Sequence, residues 1–160
     1  MRLELLQAVY SKKCQIEKIN DGDLVASAEY HHEDEKVVNI SSINMWGLQD
    51  HEMVLIFSGE RLDKESFERN MERSLNETGE KFRPNKKLRS ATVTTILIYD
   101  YADDDVIQKI ENHDHKIYYK MSLNGWSIHR VAAILTNNGA VYTDKRASKL
   151  ARRLMNIAEL

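Results

Sequence analysis

Histidine and acidic side chains crowd one short run, His31-His32-Glu33-Asp34-Glu35, and two more histidines follow at alternate spacing, His113 and His115. Imidazole nitrogens and carboxylates bind metal ions, and a loop can turn neighbouring side chains towards one ion where a strand points them apart. On a strand, the His113-x-His115 spacing sets both rings on one side. His31, His32, His113 and His115 are therefore the candidate metal ligands, and they form a single site only if their loops meet. Metal sites draw ligands from separated segments at defined spacing, so a solvated hairpin turn is the simpler account of the first run.

Two basic clusters offer a different chemistry, the binding of phosphate or another anion. Lys81, Arg83, Lys86, Lys87 and Arg89 crowd one connector, and Lys145, Arg146, Lys149, Arg152 and Arg153 lie opposite the apolar face of a C-terminal helix. Cations on the wet face of an amphipathic helix ordinarily serve solubility. Lys145 and Arg146 are unusual, because they fall in the first helical turn, where the helix dipole disfavours positive charge. A nearby carboxylate or a bound anion would relieve them. Asp103-Asp104-Asp105 has the opposite arrangement, favourable at the start of the helix it opens, and needs no ion. Arg130 interrupts an apolar strand and shares parity with Trp126, Ile128, Ala132 and Ile134, so it is either half of a structural ion pair or a site residue.

Several chemistries are disfavoured. Cys14 is the sole cysteine, which rules out an internal disulfide and a multi-thiolate zinc site and fits a reducing compartment. There is no P-loop, dinucleotide fingerprint or nucleophile elbow, and no cofactor is implied. With 23 Lys and Arg against 25 Asp and Glu, the net charge of -2 gives no global attraction to nucleic acid or anionic membrane. Residues 1–13 lack the continuous apolar core of a signal peptide, and no run nears the roughly 18 apolar residues that cross a bilayer. A cytoplasmic location without membrane contact is the expectation.

These side chains must be held by a single α+β domain over residues 1–160, for which 42% hydrophobic content supplies one core. Leu3, Leu6, Tyr10 and Cys14 predict a helix over residues 2–18, stopped by Asn20-Asp21-Gly22-Asp23. Strands follow over 24–30, 37–46 and 53–58, their short connections favouring a meander. Asp63 caps a helix to residue 78 with Leu62 stapled to Phe67, a buried stripe of Phe67, Met71 and Leu75, and Gly79 as its stop. Residues 91–99 read as a central strand covered on both faces. Asp103 caps a short helix facing inward through Val106, Ile107 and Ile110, and a strand over 116–123 comes next. A hairpin of 126–135 and 140–143 turns at Asn138-Gly139, and Thr143 or Asp144 caps a last helix. The order α-βββ-α-β-α-βββ-α predicts a mixed, mostly antiparallel sheet flanked by helices.

Leu123-Asn124-Gly125-Trp126 followed by Arg130 and an apolar strand, then Val141-Tyr142-Thr143-Asp144-Lys145, resembles the C-terminal half of a family of small conserved prokaryotic proteins of unknown function. Ala28-Glu29-Tyr30-His31 resembles that family's first strand. The resemblance implies a shared fold and carries no activity. The order α-βββ-α-β is also similar to the restriction-endonuclease-like fold, whose enzymes hold magnesium with an Asp on the second strand and a Glu-x-Lys on the third. Here those places show Asn39 and Asn44, then Glu52-Met53-Val54, without the acid and the lysine.

The sequence therefore favours a non-enzymatic module acting through protein contacts, self-association above all, with Tyr118, Trp46 and Trp126 as contact aromatics. A nucleic-acid-binding relative of an inactive nuclease-like fold is the alternative. A metal-dependent hydrolase using the His and acidic loops is a weaker one.

Overall fold

A computed structural model of the chain describes residues 15–33, 49–81, 88–118 and 126–148. Its strands are β1 (Gln15–Asp21), β2 (Leu24–Glu33), β3 (Gln49–Leu62), β4 (Leu88–Ala102), β5 (His115–Tyr118), β6 (Trp126–Leu135) and β7 (Val141–Thr143). Its helices are α1 (Lys64–Lys81) and α2 (Asp104–Glu111), and one 3-10 turn covers Lys145–Ala147. The strands join in one mixed sheet of order β1-β2-β3-β4-β6-β5, and β7 pairs the stretch of β6 beyond β5. β3, β4 and β6 run parallel to one another at its centre, and the outer pairings are antiparallel. The expected single α+β sheet domain is what forms. β2 and β3 are antiparallel neighbours, whereas the centre is parallel: α1 carries the chain back so that β4 starts alongside β3, and after α2 the strand β5, antiparallel to β6, runs opposite in direction to β4 before β6 begins.

The first departure is at residues 15–18, which the helical spacing assigned to an opening helix. They belong to β1, and Asn20-Asp21-Gly22-Asp23 is a hairpin and not a helix stop: Asp21 faces Leu24 across the turn, and Gly22 takes a φ of 61°. That left-handed backbone suits glycine and the tight turns that follow the strand twist. The expected strand over 37–46 lies outside the described residues, as does all but the first turn of the last helix.

α1 begins as its sequence implies. Asp63 Oδ1 accepts the Ser66 N–H at 2.8 Å, and Leu62 and Phe67 are buried in the same cluster. The helix runs through Gly79 to Lys81. An interior glycine costs about 1 kcal/mol relative to alanine, too little to end a helix by itself. Its buried side is Phe67, Asn70, Met71 and Ser74, whereas Leu75 is 39% exposed. α2 also departs in detail: the Asp103 carboxylate makes no cap and forks onto Arg61 through two bonds of 3.0 Å, while the Asp103 carbonyl accepts the Val106 and Ile107 N–H groups.

β4 is the centre of the core, buried on both faces as its apolar run requires. Ala91, Val93, Leu97 and Tyr99 share one cluster with Phe67 and Met71 of α1 and Val106 and Ile110 of α2, and Thr94, Ile96 and Ile98 are buried on the opposite face. The Tyr99 hydroxyl donates to Asp23 Oδ2 at 2.9 Å and accepts from Asn70 at 2.8 Å, so the first hairpin, α1 and β4 meet there. Gly59, its partner on β3, leaves the space: a Cβ would lie 2.5 Å from the Tyr99 ring. The final hairpin uses four turn residues rather than two, since Leu135 N–H donates to Ala140 O and Gly139 N–H to Leu135 O. Gly139 has a φ of 70°.

Candidate functional site

His115 is the first residue of β5 and faces His129 of β6 in the antiparallel register. His113 sits just after α2, whose end is closed by Asn112 N–H bonded to Gln108 O and His113 N–H bonded to Ile110 O. The three rings thus gather at one corner, with centroids 5.2 Å apart for His113 and His129, 6.1 Å for His115 and His129, and 6.4 Å for His113 and His115.

Hydrogen bonds fix two of these rings. His129 Nε2 lies 2.8 Å from Thr95 Oγ1, and Thr95 donates to Ser74 Oγ at 2.7 Å. Its proton spent on Ser74, the Thr95 oxygen accepts from His129 Nε2–H. His113 Nε2 lies 3.1 Å from the His129 carbonyl, which only accepts, so that nitrogen too carries a hydrogen. His115 Nε2 is buried without a hydrogen-bond partner. Burial, then the nearby His113 and His115, push the His129 imidazole down to about 3, and burial followed by His113 lowers His115. Both rings are neutral at pH 7.

A hydroxyl 2.8 Å from an imidazole has the distance of a nucleophile and its base. Thr95 is fully buried and His129 is 2% exposed, so no substrate reaches this pair. It is a core network of β4, β6 and α1.

Beside the rings opens a cleft of about 390 Å³ lined by Glu111, Asn112, His113, Asp114, Lys145 and Arg146. Asp144, 1% exposed, positions its far wall: one carboxylate oxygen accepts Ala147 N–H at 2.9 Å and the other Val131 N–H at 3.1 Å. Arg146 grips Asp114 Oδ1 with Nε at 3.0 Å and Nη2 at 2.6 Å, and that contact lowers the Asp114 pKa. Arg146 of the first helical turn thus has the nearby carboxylate that its position called for.

The other sequence candidates lie elsewhere. His31 and His32 are in β2 and not in a turn, with His31 opposite His51 and His32 opposite Asp50 in the register. β3, β4 and β6 separate β2 from β5, four steps of about 4.8 Å, so the two histidine groups do not meet. Among the described residues no group of three or more His, Cys, Asp or Glu is arranged to hold a metal ion as it stands. Arg130, half-buried, donates from Nε to Thr94 Oγ1, its register partner on β4, at 2.6 Å. Lys81 ends α1 and Arg89 lies in β4. Arg83, Lys86, Lys87, Lys149, Arg152 and Arg153 lie outside the described residues.

Sequence reading passed over His129, Thr95 and Ser74. Their signal was present: a histidine inside an apolar strand, a threonine inside another, and a serine seven residues after Phe67 on one helix face. None points to the others until the strands are placed side by side.

Among the described residues no helix is long and apolar enough to cross a membrane. No curated protein matches the chain, and no solved structure does, so the similarity of element order to the restriction-endonuclease-like fold is not shown. The family expectation fares differently: the model of the Domain of unknown function (DUF8052) matches residues 2–156, nearly the whole chain, which therefore belongs to that family.

Proposed function

We propose that the chain is a cytoplasmic, non-enzymatic contact module that associates with its own copies through the cleft at the end of α2. One observation carries this reading: Glu111 and Asp114 line the same cleft as Lys145 and Arg146. A two-fold contact sets a patch against itself, and a patch holding both signs is complementary to its own copy. A phosphate backbone would meet two carboxylates there along with the cations. The burial of the Thr95–His129 pair supports a binding role over a hydrolytic one.

The reading is tested by reversing charges one at a time and together. Light scattering of the unmodified protein is expected to show a concentration-dependent dimer. Lys145→Glu and Glu111→Lys, each alone, weaken it several-fold, while the two combined restore it, because opposite signs again meet across the two-fold. A strictly monomeric protein would overturn the proposal, as would a dimer indifferent to all three variants.

A further inference from the structure

We propose that His113, His115 and His129 form a binding site for one divalent transition-metal ion of the zinc type. The alternate pair His113 and His115 meets a third histidine on the adjacent strand, and the register pairs His115 with His129. Separated segments thus converge on one corner, as structural and catalytic zinc sites require.

The hydrogen bonds prepare the rings for a metal. A ligating histidine characteristically donates its second nitrogen to an oxygen, which fixes the tautomer and the ring. Both His129 and His113 do so through Nε2, to Thr95 Oγ1 and to the His129 carbonyl, which leaves each Nδ1 as a lone pair in the neutral ring. His115 keeps a buried Nε2 with no hydrogen-bond partner, an orphan that a metal would satisfy.

The donors do not yet converge on one point. Three imidazoles on a tetrahedral ion at about 2.0–2.1 Å have ring centroids about 5.2–5.5 Å apart. His113 and His129 are at 5.2 Å already, and the two distances to His115, 6.1 and 6.4 Å, exceed this by about 1 Å. Closing the centroid distances falls on His115, the ring whose Nε2 has no hydrogen-bond partner. Its closure leaves the fourth position to water or a side chain.

Tag-free full-length protein, stripped of metal, is titrated with zinc by calorimetry and with cobalt(II) by visible absorption, which reports a tetrahedral nitrogen set. One equivalent of metal per chain is expected. His115→Ala and His113→Ala each weaken binding at least about 10-fold, and Thr95→Val, which removes the oxygen holding His129, weakens it about 10-fold or more. The double change His31→Ala with His32→Ala leaves binding intact. The urea midpoint of each metal-free variant shows that it is folded. Absence of zinc uptake at micromolar concentration, unchanged uptake in His115→Ala, or its loss in the His31 and His32 double variant would each overturn the proposal.

Discussion

His129 enters the core uncharged, because burial and the rings of His113 and His115 push its pKa down to about 3 from an ordinary 6.5. The unfolded chain takes up a proton at this residue near pH 6.5, and the folded chain only near 3. Between those values the unfolded state holds more protons, so stability falls as pH falls, by about 1.4 kcal/mol per pH unit. From pH 7.5 to pH 5 the metal-free protein is expected to lose about 2 kcal/mol through this residue. Urea unfolding at the two pH values checks it against His129→Gln, which does not titrate and should lose correspondingly less. An equal loss in both proteins would show that the imidazole is not the group responsible. His113 and His115 were legible as a chemical pair in sequence. His129 was not, because a histidine in an apolar run is ambiguous until its neighbour across the sheet is known.

α1 shows how an element can be foreseen while its buried side is misjudged by one residue type. At about 100° per residue, Ser74 lies about 20° from Phe67, Met71 about 40° and Asn70 about 60°, whereas Leu75 has drifted about 80° to the outer side. A stripe drawn through apolar residues alone, Phe67, Met71 and Leu75, follows a four-residue step that rotates steadily away from the sheet. The helix instead buries two polar residues, which is tolerable because Asn70 donates to Tyr99 and Ser74 accepts from Thr95. Phe67→Ala is therefore expected to cost roughly 3–5 kcal/mol, and Leu75→Ala no more than about 0.5. Chemical denaturation of both variants decides it: similar losses would mean that the outer side of α1 is covered. The same lesson applies at β1. An Asp-Gly pair between two polar-alternating stretches is a hairpin signal, and helical spacing further upstream obscured it.

From residue 53 to residue 148 the order of elements was largely readable, with caps, turns and alternation near most boundaries, although Gly79 stops no helix and the Asp103 side chain caps none. The parallel centre arose from the helical crossover between β3 and β4 and from the return of β5 against β6, neither of which local patterns display. Charge placement, likewise, is a property of the folded molecule. In sequence Lys145 and Arg146 belong to a basic cluster; in the fold Arg146 is held by Asp114, and Glu111 lines the same cleft. With a net charge of -2 as well, that cleft carries both signs and gives no net pull on a phosphate backbone. Counterion release makes nucleic-acid affinity fall with salt by about 0.9 logarithmic units per phosphate contact on duplex DNA. A contact between balanced patches responds only as far as a few exposed pairs are screened. DNA and RNA are therefore expected to show no more than weak background binding near physiological salt, while the dimer persists there. Removing Lys86, Lys87, Arg152 and Arg153 together should change neither result. Tight binding whose salt dependence flattens in that fourfold variant, by a protein that stays monomeric, would replace the contact module with a nucleic-acid binder and place its footprint on the two basic clusters.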